Sequence, residues 1–309
     1  MKTGETVIKT KELSKHYGSL KAVEKVSINV CRGEIYGFLG LNGAGKTTTI
    51  RMLLGMIRPS SGEAYINNEK VSAGNISIWK NTGYLVEVPY SYPDLTVKEN
   101  LEAIRRLRII KDRRCVDTII EKLNLGSYAG VMARNLSLGN AQRLGLAKAL
   151  IHEPSILILD EPANGLDPAG IVEIRELLTD LAENRGVTIF ISSHILGEIS
   201  KFATRIGIIH QGVILHESSL SEIENLRKVC LQVRTKDPSS GRDFLERKGF
   251  RSELTEEGII ELNEKEAIAD PSKISELLVN GGFPPSLIKV EEEDLESFFL
   301  RVIKMKGGE

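Results

Sequence analysis

Gly40-Leu41-Asn42-Gly43-Ala44-Gly45-Lys46-Thr47 stands between the apolar run Glu34–Leu39 and the helix-like stretch Lys46–Met56. A strand, a glycine-rich turn and a helix in that order separate a phosphate loop from a chance run of glycines. The glycines let the backbone curl until successive N–H groups face one anion. The helix behind them adds the positive end of its dipole. Lys46 is expected to reach the outer phosphates of a nucleotide, and the Thr47 hydroxyl to ligate Mg²⁺. Gly40, Asn42, Gly43, Ala44, Gly45 and Thr48 complete the expected nucleotide contacts.

Further along, Ile156-Leu157-Ile158-Leu159 ends in Asp160-Glu161. A buried parallel strand delivers its last residues to the carboxyl edge of the sheet, where α/β ligands bind. There Asp160 can hold Mg²⁺ through its water shell, and Glu161 can polarise a water that attacks the γ-phosphate. Alone, such a strand reads more readily as ending in a solvated turn. Beside a phosphate loop it reads as the metal and base edge of a nucleotide site.

Two more short apolar runs, Val187–Ser192 and Ile206–His210, and a helical stretch, Gly170–Asn184, extend the alternation. They predict an α/β fold with a mostly parallel sheet, a phosphate-loop NTPase core. Leu95–Ile151 is different, being largely helix-like, with Asp94 or Thr96 as the cap before Val97–Ile110. It predicts a helical subdomain, about 88–151, inserted into a nucleotide domain of residues 1–217. Residues 218–309 predict a small α+β domain. Strands Val229–Thr235, Phe250–Leu254, Ile259–Leu262 and Leu287–Val290 alternate there with helices Gly241–Arg247 and Pro271–Val279. That βαββαβ order fits a ferredoxin-like module. A last amphipathic helix, Leu295–Ile303, puts Leu295, Phe298, Phe299 and Val302 on one face.

Composition excludes several classes. The 41 basic and 42 acidic residues leave a net charge of -1, without the basic excess that a nucleic-acid partner calls for. The cluster Arg105, Arg106, Arg108, Lys111, Arg113, Arg114 reads as a solvated helix face. Cys31, Cys115 and Cys230 lie far apart with no CxxC, as expected of reduced thiols in a cytosol. The N-terminus has no apolar signal core, and no stretch approaches the ~18 to 20 apolar residues of a membrane span. Any membrane role is therefore expected to come through another chain.

Leu136-Ser137-Leu138-Gly139-Asn140-Ala141-Gln142-Arg143 resembles the LSGGQ signature of ABC ATPases, and it precedes the acidic strand as it does in that family. Ser137 and the backbone of Gly139, at the start of a helix Asn140–Leu150, can make a second anion site. The resemblance implies that this site closes over ATP held by an opposite subunit, in a homodimer or a pair with a related ATP-binding subunit. It also implies that Tyr17 stacks on adenine and that Asn164-Gly165-Leu166-Asp167-Pro168 is the D-loop. Ser192-Ser193-His194 then carries the switch histidine that positions the attacking water. The resemblance runs from about Val7 to Glu217.

Three positions depart from the family pattern. Leu138 replaces the first signature glycine, Asn140 replaces the signature glutamine, and Glu87 stands where the Q-loop glutamine would ligate Mg²⁺. A carboxylate there either slows turnover or tightens metal binding. Glu87 before Pro89, the Leu-Ser-Leu-Gly signature and the terminal Leu295-Glu296-Ser297-Phe298-Phe299-Leu300 resemble one branch, the ATP-binding subunits of antibiotic and peptide exporters. Bacitracin-resistance and lantibiotic self-protection systems belong there, with sodium exporters as relatives. The implied protein is an ATPase powering export through a separate polytopic membrane subunit, held peripherally on the cytoplasmic face of the cell membrane. A soluble ABC ATPase of translation or DNA repair is the alternative, and a regulatory role for residues 217–309 stays open beside it.

Overall fold

The computed structural model describes residues 4–87 and 89–307. The expected boundaries at Met1, Val88 and Glu309 fall outside the described residues. The chain divides into two compact units, one reaching Leu220 and resuming at Val302, the other spanning Ser221–Arg301.

A six-stranded sheet forms the centre of the first unit. Its order is Val213–Ser219, Arg205–His210, Ile35–Leu39, Thr188–Ser193, Ile156–Asp160 and Thr82–Leu85. Every pair is parallel except the first. Ile35–Leu39, Thr188–Ser193 and Ile156–Asp160 are buried at every position, which is why they read as unbroken apolar runs. Register fixes what they deliver. Leu39 pairs with Ser193 and Asp160 with Ser192, so the phosphate loop, Asp160-Glu161 and His194 leave one carboxyl edge side by side.

A second, antiparallel sheet was not foreseen. The long strand Thr6–Tyr17 pairs with Leu20–Val26, Asn29–Cys31 and Ser61–Ile66, and Glu69–Lys70 adds to the last of these. Val7, Ile8, Leu13, Val23 and Val26 join Ile50, Met52 and Leu53 of the first helix in one core. That packing places Tyr17, at the strand end, beside the phosphate loop.

The helical region of the same unit comprises Val97–Leu107, Arg114–Lys122 and Leu138–Leu150. Thr96, not Asp94, caps the first: its hydroxyl accepts from Glu99 N at 3.2 Å, and the Glu99 carboxylate accepts from Thr96 N at 2.8 Å. Asp94 instead pairs with Arg134. The basic cluster is only partly a solvated face. Arg105 is 8% exposed, gripped by Glu102 and the Ile110 carbonyl, and Arg108 donates to the Trp79 carbonyl.

The second unit has a four-stranded antiparallel sheet in the order Ser252–Leu254, Ile260–Leu262, Val229–Thr235, Pro285–Glu292. Helices Pro238–Arg247 and Pro271–Asn280 are its two crossovers, with a short helix Lys265–Ala269 before the second. Leu231, Val233, Leu245, Ile260, Leu262, Ile274 and Leu278 form its own core. In the last helix, Leu295–Gly307, Phe298, Phe299 and Val302 are buried and Leu300 is exposed.

Candidate nucleotide site

The loop after Ile35–Leu39 takes its shape from its glycines. Gly43 and Gly45 have φ of 80° and 106°, and a Cβ at Gly45 would lie 2.5 Å from the Ala22 carbonyl. The helix Lys46–Leu53 starts at Gly45 with no side-chain cap, so its first N–H groups stay directed at the loop. It ends three residues sooner than expected, before Gly55 at φ 65°.

A cleft of about 900 Å³ opens over this loop, lined by Tyr17, Asn42, Gly43, Gly45, Lys46, Thr47, Thr48, Glu161 and His194. Gly40 and Ala44 lie beneath it: Gly40 lends its carbonyl to Lys46, and buried Ala44 donates its N–H to Leu41 O at 3.1 Å. Lys46, 6% exposed, donates to Gly40 O at 2.7 Å and Leu41 O at 3.3 Å, and lies 3.2 Å from Glu161 Oε1. It is thus held on three oxygens at the mouth of an anion-shaped loop. The other Glu161 oxygen is 2.8 Å from His194 Nδ1. Glu161 has φ 49°, a left-handed turn that swings its carboxylate from the strand end back over the loop.

Asp160, 2% exposed, accepts from Thr47 Oγ1 at 2.7 Å and from Ser192 Oγ at 2.5 Å. Among the described residues no group of three or more His, Cys, Asp or Glu could cage a metal. One hydroxyl and one carboxylate side by side fit Mg²⁺, which takes one or two protein oxygens and fills its shell with water and phosphate. Tyr17 is 49% exposed at the cleft wall, with Lys15 Nζ 5.1 Å from its ring centre, so one broad aromatic surface is open to a planar base.

Four expected residues lie elsewhere. Ser137 caps the helix Leu138–Leu150, which starts two residues before expectation, and accepts from Asn140 N at 3.3 Å. Gly139 lies against the Gly165 carbonyl. Asp167 caps Pro168–Arg185, accepting from Gly170 N at 3.0 Å. Glu87, at φ 56°, pairs with Arg51 at 2.6 Å and lines a different groove of about 830 Å³. That groove exposes Ile76, Tyr90, Tyr92 and Leu107.

Other contributors lie in or beside these motifs without a role of their own there. Ser192 reaches Asp160 only through sheet register, and Gln142 donates to the Glu161 carbonyl at 3.1 Å. Arg51 is one turn beyond Thr47, a helical spacing at which two side chains share a face.

The sequence profile of the ABC transporter family matches residues 23–164. The bacitracin transport ATP-binding protein BcrA of Bacillus licheniformis is 41% identical over 300 residues, covering 96% of this chain and 97% of its own. The chain belongs to the ATP-binding subunits of ABC transporters. The lantibiotic transport ATP-binding protein SrtF of Streptococcus pyogenes is 34% identical over 72% of this chain and 95% of its own. Among solved structures, the ATP-binding cassette MJ0796, a dimer in a post-hydrolysis state with ADP and Pi, superposes with a TM-score of 0.65 at 26% identity. It covers 69% of this chain and 98% of its own. This ABC subunit therefore binds ATP and hydrolyses it. No helix among its described residues is long and apolar enough to cross a membrane.

Proposed function

We propose that two copies of this subunit bind ATP face to face and use its hydrolysis to drive export of a peptide antibiotic of the bacitracin class through a separate membrane protein. Names of relatives that match end to end support the cargo, and they do not favour a soluble role in translation or DNA repair. One observation carries the mechanism. Lys46, Thr47, Glu161 and His194 line one cleft with Asp160 hydrogen-bonded to Thr47, whereas Ser137, Gly139 and Asp167 of the same chain do not line it. A second copy, as in the dimeric cassettes, would bring its own Ser137 and Gly139 over the phosphates.

In this reading Lys46 leaves Glu161 and neutralises the outer phosphates, while the N–H groups of Gly43 to Thr48 cradle them. Tyr17 stacks on the adenine. Thr47 and Asp160 would hold Mg²⁺, which would neutralise charge on the phosphate oxygens. Glu161, released from Lys46, takes a proton from the attacking water, and His194 orients that water from Glu161's other oxygen. Asp167 joins the two sites across the dimer. Glu87, here paired with Arg51, would be a further Mg²⁺ ligand once released from that pair.

Residues 1–217 are assigned to the ATPase domain and 218–309 to a ferredoxin-like accessory domain. The membrane subunit docks on the groove of Tyr90, Tyr92 and Leu107, where apolar side chains stand open beside Glu87. The protein then works on the cytoplasmic face of the membrane. The test is co-purification of tagged Glu161→Gln from detergent-solubilised membranes of its own host. A polytopic membrane protein in stoichiometric amount, lost in Tyr90→Glu, is the expected result. Recovery of ribosomes, DNA or no partner refutes the transport assignment.

A further inference from the structure

The leucine that replaces a signature glycine does specific steric work. A Cβ placed on Gly165 would lie 2.4 Å from both Cγ and Cδ2 of Leu138, so the leucine side chain fills the space where residue 165 has none. Gly165 has φ 77°, and its carbonyl is the nearest atom to a Cβ placed on Gly139, at 3.0 Å. The start of the signature helix thus sits directly on the loop 164–167, with Leu138 as the apolar contact. Yet Leu138 remains 59% exposed. One side of it is seated and the other faces solvent next to Ser137.

Two further ties join the same helix to residues on either side of the loop 164–167. Gln142 Nε2 donates to the Glu161 carbonyl at 3.1 Å, and Arg143 pairs with Glu173 at 2.7 Å. Helix Leu138–Leu150 is therefore fixed at the base residue by Gln142 and at the helix Pro168–Arg185 by Arg143. Leu138 fixes its N-terminal end, the end that carries the second anion site. With glycine at 138 that end would have no side chain to seat on the loop, and glycine at the first helical position would loosen the turn.

We propose that Leu138 is a positioning residue: seated on Gly165, it holds Ser137 and Gly139 in register with the loop 164–167, so that the anion site offered to the second copy moves with that loop. The inference rests on the two-copy reading above. It places Leu138 upstream of ATP capture across the dimer and leaves the chemistry of Glu161 and His194 alone.

A double-mutant cycle tests it, using Leu138→Gly, Gly165→Ala and the pair in the full-length protein. Residues in contact couple by factors of roughly two to 150, and residues that are independent do not. Leu138→Gly should raise KM for ATP about three- to tenfold, with kcat near that of the wild type. Binding of a fluorescent ATP analogue to the monomer should not change, and Leu138→Met should restore KM. Gly165→Ala alone should also raise KM, because its methyl displaces Leu138 and an L residue is strained at φ 77°. The pair should do no more than the worse single change. Multiplying effects, an unchanged KM in Leu138→Gly, or a loss confined to kcat each overturn the proposal. Lys46→Ala run alongside separates the two ideas: if it still hydrolyses ATP, the site assignment fails whatever the cycle gives.

Discussion

Glu161→Gln should bind ADP more tightly than the wild type. Before any phosphate can reach Lys46, its ammonium must leave a carboxylate 3.2 Å away in a site where it is 6% exposed. Two unit charges at that separation attract by roughly 5 kcal/mol at an effective dielectric constant of about 20. Desolvation of both groups offsets most of this, leaving about 1–2 kcal/mol, or ~5–30-fold in affinity. The amide keeps the shape of the side chain and can still bond to His194, but it removes the charge. Lys46 then rests on the Gly40 and Leu41 carbonyls alone and is freer to take an anion. ADP is the suitable ligand, because it has no γ-phosphate for Glu161 to repel. Isothermal calorimetry of both proteins with ADP reads the effect directly. Equal or weaker binding by the variant would show that the Lys46–Glu161 pair does not oppose nucleotide binding.

Ser192→Ala should leave nucleotide affinity without Mg²⁺ unchanged and raise the Mg²⁺ concentration for half-maximal hydrolysis about 10–100-fold, the usual cost of losing a partner behind a metal ligand. An unchanged Mg²⁺ titration contradicts the role given to its bond with Asp160. His152 should make stability fall in acid. Burial, helped by the charge of Arg108, lowers its pKa from 6.5 to about 4. The unfolded chain therefore takes up a proton below pH 6.5 that the folded chain refuses until about pH 4. Stability contributed above pH 6.5 is lost progressively down to pH 4. Urea midpoints at about pH 7 and about pH 5 should differ more in the wild type than in His152→Gln, and identical shifts rule the histidine out.

The legible part of this fold was the part with unbroken apolar strands. Ile35–Leu39, Ile156–Asp160 and Thr188–Ser193 announce themselves because both faces are buried, and each hands a motif to the same edge. The sheet around Thr6–Tyr17 was hidden for the opposite reason. Lys9, Lys11, Glu12 and Lys15 interrupt that strand, and its alternation is broken by register shifts and by Glu12 at φ 46°. In the C-terminal region Val229–Thr235 has the expected bounds, whereas the other expected elements differ by a few residues, since short strands such as Ser252–Leu254 have little pattern to bound them.

Within the site, residues placed by a motif were legible, and residues placed by register were not. Ser192 meets Asp160 only because two strands align. The Glu87–Arg51 pair spans two elements that no local pattern joins. Ser137, Gly139 and Asp167 show why a motif fixes local structure sooner than it fixes a site. Each is a helix cap or a tight contact within its own chain, and the nucleotide role assigned to each needs a second copy.

That division is open to a complementation experiment with two inactive variants. Lys46→Ala removes the phosphate ligand, and Ser137→Glu places a negative charge where the second copy must meet a phosphate. In a one-to-one mixture, each hybrid dimer joins Lys46 of one chain to Ser137 of the other in one intact site. The account predicts that neither variant hydrolyses ATP alone and that mixing restores roughly a quarter of the wild-type rate, the share expected when two-fold related sites assort at random. Full activity in Ser137→Glu alone, or no recovery on mixing two folded variants, would contradict a site shared between two copies.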